Sequence, residues 1–350
     1  MNYSMILRKT TSLLLVFVFS TPVLAKDSLP EVNILTGDNR IDVMIGGKLF
    51  TSYLYGDSLH KPVMVPLRSP SGIEVNRRYP LVEVEGGSMD HQHHVGLFFC
   101  VDQVNGTNFW NYYKNADGTT PQIRHVKVQE IASGDGKGTL TTSAHWIDKH
   151  GKFLLEEKRN MVFIADENKD EYAIDFSIDL TAQNEKVAFE DIEEGVLAIR
   201  VSDYLREGKT NLKLQPGKPF GKESISGTGR YSSSNSDETA EHVWGKRARW
   251  VALQGIRQGK VVGIAMLNHP ASINYPTYWH VRSYGLFSAN PLGQGDFQRQ
   301  RPKRYRRNAP VALRLTLEPG QTAHFRFLLI VYEGIRTKDQ IEQRFRQFVQ

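Results

Sequence analysis

The chain has 350 residues, 44 Lys and Arg against 38 Asp and Glu, and one cysteine. That length is ample for a large buried core, and a net charge of +6 makes no general case for nucleic acid binding. The lone Cys100 excludes an internal disulfide and a thiolate zinc cluster, and its place after Leu97-Phe98-Phe99 predicts a small buried side chain.

Residues 1–25 read as a secretory signal: Arg8 and Lys9 start it, Leu13 to Phe19 form the apolar run, and Val23-Leu24-Ala25 supply the cleavage site. Removing it takes away Arg8 and Lys9 and lowers the net charge from +6 to +4. Residues 26–350 are then expected to be one exported domain, periplasmic or extracellular. The run is short for a bilayer-spanning helix, and no later stretch is apolar enough to be an integral membrane segment.

Downstream, short alternating apolar-polar runs predict antiparallel strands at 48–54, 123–128, 138–145, 172–180, 249–253, 261–267 and 311–317. Turn residues separate them: Gly37-Asp38-Asn39, Ser71-Gly72, Ala116-Asp117-Gly118 and Glu318-Pro319-Gly320. Two polar stretches, 221–241 and 294–308, read as loops. The second carries a basic run over 298–307, whose plain reading is a solvated surface and whose sharper one is an anion clamp. A helix closes the chain, with Thr337 and Gln340 at capping-box spacing and Ile341, Phe345 and Phe348 along one side. The expected fold is all-β: a large antiparallel β-sandwich with a short C-terminal helix.

Three stretches concentrate chemistry. Asp90-His91-Gln92-His93-His94 gathers three imidazoles and a carboxylate. On a strand His91 and His93 would share one face; in a loop all could converge. The cluster suits general acid-base work, with Asp90 orienting a ring, and equally a divalent metal, with His91 and His93 as ligands. A hydrogen-bonded turn is the bland alternative. From Asn268 to Pro291, His280 and Arg282 point one way along a strand and Trp279 the other, offering a proton carrier beside an anion partner. His269 and Asn290 flank them. Before the strand at 196–201, Glu194 is a candidate acid or base and Arg200 a candidate charge holder. Trp110 and Trp279 would be stacking platforms or core aromatics. No phosphate-binding loop, dinucleotide fingerprint or Gly-x-Ser-x-Gly elbow occurs, which argues against nucleotide chemistry and serine hydrolysis.

The two long motifs, Asp90 to Leu97 and His269-Pro270 with Pro276 to Pro291, resemble a bacterial family of unknown function labelled "methane oxygenase PmoA". The likeness runs from about Gly47 to Gly334. It includes the shorter signatures Pro70-Ser71-Gly72, Arg78-Tyr79-Pro80, Asn105-Gly106, Phe109-Trp110, Glu194-Gly195, Arg200 and Trp244-Gly245. Family members carry Pro where Gln92 stands and Arg where Val95 stands. The resemblance implies a β-sandwich, with the galactose-mutarotase-like supersandwich as one form of it, and a setting beside sugar chemistry.

These readings converge on a carbohydrate-active enzyme, a hydrolase, lyase or epimerase of glycosides or oxidised sugars. His91, His93 or His94 with Asp90, and Glu194 or His280 opposite, would move protons. Trp110, Arg200, His269, Trp279, Arg282 and Asn290 would bind substrate. A divalent ion is an open cofactor question. A non-catalytic glycan-binding protein and a metal-dependent oxygenase, as the family label suggests, are the rivals.

Overall fold

The structure, a computed structural model, describes residue 1 and residues 29–111, 120–165, 170–208, 227–300 and 309–350. The signal segment past Met1, the expected turn at 116–118, and the basic residues of 301–307 lie outside the described residues.

Two large antiparallel sheets make a β-sandwich. The first runs Tyr278–Val281, Leu286–Asn290, Gly195–Arg200, Leu97–Val101, Val63–Leu67, Lys48–Leu54, Arg40–Ile45, Glu31–Gly37 and Gly134–Asp135. The second runs Arg230–Ser233, Trp250–Arg257, Lys260–Asn268, Thr322–Glu333, Glu171–Ala182, Phe153–Ala165, Lys137–Ile147 and Gln122–Ala132. Alternation sets which face each strand buries. Along Phe153–Ala165, Leu155, Met161 and Phe163 turn inward while Glu156 and Lys158 stay in solvent. Turn chemistry sets register: Gly46 and Gly47 take φ of 54° and 75°, so Ile45 pairs Lys48 across a two-residue hairpin turn.

Register also separates the two faces of the first sheet. His280, Ser288, Ala198 and Phe98 lie side by side, with Arg200 two residues along on the same face. Trp279, Ala289, Leu197 and Phe99 form the opposite row. Phe99 meets Trp146 and Phe325 of the second sheet, so its row faces the inter-sheet core and the His280–Arg200 row faces outward. A buried ion pair, Arg159 to Glu157 at 2.7 Å with the Trp146 indole on the same carboxylate at 3.0 Å, lies on the inner face of the second sheet, its guanidinium over the Phe99 ring of the first.

The far side of the second sheet is covered by the helix Lys338–Phe348, whose Ile341 and Phe345 pack on Trp250, Leu267, Leu328 and Ile330. Its cap forms as expected: Thr337 Oγ1 accepts from the Gln340 amide, and Gln340 Oε1 accepts from the Thr337 amide. Among the described residues no helix is long and apolar enough to cross a membrane.

Three expected elements differ. The stretch 311–317 is a strand only at Thr316–Leu317, because its amides at Val311 and Leu313 donate to the side chains of Gln298 and Asp191 instead of to a ladder. Within the expected 294–308 loop, Gln294–Gln300 is a helix. Asp191, far away in sequence, accepts from the Gly295 and Asp296 amides at its first turn. The 221–241 loop contains the strand Arg230–Ser233 and the start of the helix Thr239–Val243.

Candidate active site

The loop before Leu97–Val101 delivers Asp90 to His94 onto the outer face of the first sheet. It can lie that close because Gly96 adopts φ of 60°, and a Cβ there would fall 2.6 Å from the Met64 carbonyl oxygen. The segment is a loop, not a strand, so the carboxylate and the imidazoles converge instead of alternating.

Asp90 is the hub. Its carboxylate accepts from Arg77 Nη1 at 2.9 Å, from Arg200 Nη2 at 2.7 and 2.8 Å, and bonds His91 Nδ1 at 2.6 Å. Burial would raise this carboxyl, but His91, Arg200 and Arg77 together hold it well below the usual carboxylate range. An ionised Asp90 fixes His91 with its proton on Nδ1, leaving Nε2 as the free basic nitrogen. The His91 ring is stacked parallel on Tyr284 at 4.8 Å and on His94 at 5.0 Å, so its plane is fixed, yet its side chain is 39% exposed. Arg77 also donates to the carbonyls of Ser88, His91 and His94, which closes the loop around its guanidinium.

His94 is buried between His91, Phe98 and Trp110, and neither of its ring nitrogens has a hydrogen-bond partner. Burial, then the neighbouring His93 and Arg200, hold it neutral, well below the usual histidine range. His93 packs edge-on against it at 4.2 Å and is pushed down to about 3 by burial and by Lys61. Lys61 is itself buried, its Nζ donating to the Trp110 carbonyl at 3.2 Å and lying 4.7 Å from the Phe98 ring centroid. Cys100 is buried beside it, its thiol pushed up to about 11 by that burial.

The second histidine-bearing stretch reaches the same place through Tyr284, which stacks on His91 and lies 4.8 Å under the Arg200 guanidinium. Burial pushes its phenol up to about 12. Next to it, Arg282 donates to His280 Nε2 and to Glu193 Oε1, both at 2.9 Å. Because His280 Nε2 accepts, its Nδ1 carries the proton and donates to the Glu193 carbonyl at 3.0 Å. Burial and Arg282 hold this imidazole down to about 3. Beyond Glu193, the Glu194 carboxyl is pushed up to about 7 by burial and by the charges of Glu193 and Asp102, and burial pushes Asp102 up to about 6.

Several expected roles change with these placements. His280 has both nitrogens engaged, so it positions Arg282 and the Glu193 segment and has no nitrogen left to exchange a proton with a substrate. Asn290 donates to the Ile192 and Glu193 carbonyls and accepts from the Leu292 amide, which makes it a clamp on the 190–194 loop and leaves no group for substrate. Trp279 points into the inter-sheet core with its indole on the Ala248 carbonyl, as strand alternation from His280 requires. His269 lies beside Arg326 and Phe348, on the side covered by the C-terminal helix. Trp110 is a buried wall behind His94 and not an open platform. Glu194 belongs to an acidic group with Glu193 and Asp102, at the opposite end of the strand Gly195–Arg200 from Arg200, and not to the Asp90 cluster. Arg200 pairs with Asp90, and Arg282 with His280 and Glu193. Among the described residues no three His, Cys, Asp or Glu side chains are grouped to hold a metal ion, and His91 Nδ1 is already committed to Asp90.

No motif in the sequence points to Arg77 or Lys61 for this chemistry. Arg77 stands just before Arg78-Tyr79-Pro80 in sequence, but nothing local shows that its guanidinium fills the loop of Asp90.

Residues 40–346 match the family described as "Family of unknown function (DUF6807)". No curated protein matches the chain. Among solved structures, the galactosidase domain of alpha-galactosidase-sucrose kinase aligns at a TM-score of 0.40 and 10% identity, over 86% of this chain and 42% of that one. A galactose mutarotase related enzyme from Lactobacillus acidophilus aligns at 0.32 and 9%, over 87% and 98% respectively. A polysaccharide lyase aligns at 0.29 and 10%, over 90% and 34%.

Proposed function

The chain belongs to the family of unknown function DUF6807, so its activity has to be read from its own side chains, and we propose that it is an exported acid-base enzyme acting on carbohydrate. The favoured reaction is proton abstraction beside the carboxylate of an oxidised sugar, leading to elimination or epimerisation. The observation that carries this reading is the Asp90–His91 pair: a surface imidazole fixed in ring plane and tautomer by a carboxylate that two buried arginines keep ionised.

In the proposed sequence, His91 Nε2 takes the proton from the carbon next to the sugar carboxylate, and Asp90 stabilises the imidazolium that results. The electron pair moves into the carboxylate as an enediolate, whose added charge the Arg200 and Arg282 guanidiniums oppose. In elimination the pair then returns to form a carbon–carbon double bond as the neighbouring carbon–oxygen bond breaks, and an acid protonates the departing oxygen. Glu194, pushed up to about 7, keeps a proton to give near neutral pH. In epimerisation the carbon is reprotonated from the other face.

Turnover of a panel of uronate-containing and neutral oligosaccharides, followed by absorbance of the unsaturated product and by NMR of the epimers at the carbon next to the carboxylate, tests the reading. His91→Ala should abolish turnover with the fold intact, while a non-catalytic glycan binder would keep its affinity and show no turnover in any form. The resemblance of the two long motifs to the family labelled "methane oxygenase PmoA" supports a rival, oxygenase chemistry. Elemental analysis of the purified protein decides it, since near-stoichiometric iron or copper would displace the acid-base proposal.

A further inference from the structure

A cavity of about 440 Å³ adjoins the Asp90 cluster, sharing Arg77 and Ser88 with it but none of the histidines. Its hydrogen-bonding groups are unbalanced. The acceptors are used: Glu74 takes Arg68 at 3.0 Å and Arg78 at 3.0 Å, and Asp203 takes the Ser88 amide at 2.7 Å and Arg206 at 3.3 Å. The donors are not. The Tyr204 hydroxyl and Arg77 Nε are both buried without a partner. Arg257, whose guanidinium lies 5.6 Å from the Tyr204 ring centroid, sits at the cavity edge. Each unmade bond in so buried a place is unfavourable unless a ligand completes it. Such a ligand must bring acceptors and negative charge. Ile73, Val82 and Val84 add apolar wall, so it also has a compact carbon body.

We propose that this cavity is a second binding site, separate from the catalytic cluster, for a small carboxylate such as an acidic monosaccharide or an organic acid of that size. Its carboxylate accepts from Tyr204, Arg77 Nε and Arg257, and its body rests on Val82 and Val84. Burial and the nearby Arg200 push the Arg77 guanidinium down to about 9, as expected where positive charge is under-compensated. Because Arg77 Nη1 holds Asp90, an anion at Nε of the same guanidinium shares the charge that orders the catalytic loop.

Isothermal titration of the full chain with galacturonate, with galactose as the neutral control and benzoate as a carboxylate that is not a sugar, tests this. Tyr204→Phe removes one oxygen and Arg257→Ala changes an exposed side chain, so both should fold as wild type. Each should weaken galacturonate binding by about tenfold or more, and Arg282→Ala at the catalytic cluster should leave that component unchanged. Benzoate binding with the same sensitivity to both variants assigns the site to carboxylates in general and upholds it. Galacturonate binding that only Arg282→Ala weakens overturns the second site and leaves the proposed catalytic cluster standing. Equal binding of galactose, or no carboxylate binding at millimolar ligand, also overturns it.

Discussion

Replacing Asp90 with Asn keeps the shape of the hub and removes its charge. Two guanidiniums then lose their counter-charge: Arg200, which is 0% exposed, and Arg77, which is 6% exposed. Removing one partner of a buried pair costs about 3–5 kcal/mol. The Asp90 side chain is 16% exposed, so about 3 kcal/mol, the lower end, applies. The loss depends on pH. In the folded protein His91, Arg200 and Arg77 hold the Asp90 carboxyl below its unfolded value of about 3.9. Its stabilisation is therefore full above that value and disappears as pH falls below it. Urea unfolding of wild type and Asp90→Asn should differ by about 3 kcal/mol at pH 7, and the gap should close progressively below about pH 4. Turnover should fall by about a thousandfold, because the Asn amide cannot hold His91 with its proton on Nδ1 or offset the imidazolium. A variant within about 0.5 kcal/mol of wild type at pH 7, or a gap that persists unchanged at pH 3, would refute the hub.

Glu194 works in the opposite sense. Its folded value of about 7 lies above its unfolded one, so the wild type should lose stability as pH rises from about 4.3 through about 7, and Glu194→Gln should not. An advantage of order 2 kcal/mol for the variant at pH 8 but not at pH 4 is expected from unfolding curves, and parallel curves would exclude the raised carboxyl. Tyr284→Leu should cost turnover more than Tyr284→Phe, since the ring that stacks on His91 matters more than the hydroxyl; equal losses in kcat would contradict this. Arg282→Met leaves His280 Nε2 and Glu193 Oε1 without the Arg282 donor, so kcat should drop in the wild-type background, while the same change made on top of His91→Ala adds little further loss, a non-additivity readable in a double-mutant cycle. Thr337→Ala removes the capping box of the last helix and should lower stability by about 1 kcal/mol without changing turnover.

What was legible in the sequence is what local rules control. Alternation and turn residues are short-range physics, so 48–54, 172–180 and 261–267 read as strands and appear as Lys48–Leu54, Glu171–Ala182 and Lys260–Asn268. Thr337 and Gln340 declare their helix start within four residues of chain. The same strand rule already placed Trp279 and His280 on opposite faces.

Tertiary structure decided everything that depends on partners distant in sequence. Asp191 starts the helix 294–300 by accepting the Gly295 and Asp296 amides, and with Gln298 it takes the Leu313 and Val311 amides out of a strand ladder, a choice no local propensity encodes. Asp90 becomes a hub only because Arg200, 110 residues away, arrives on the neighbouring strand with Arg77 inside the loop. His91 and His280 are both histidines beside charged residues in sequence. They differ in role because one has a free nitrogen at the surface and the other has both nitrogens bonded under Arg282 and Glu193. Residue type supplies the chemical repertoire; burial and hydrogen-bond partners, which only the packed sheets provide, select the protonation state in which it is used.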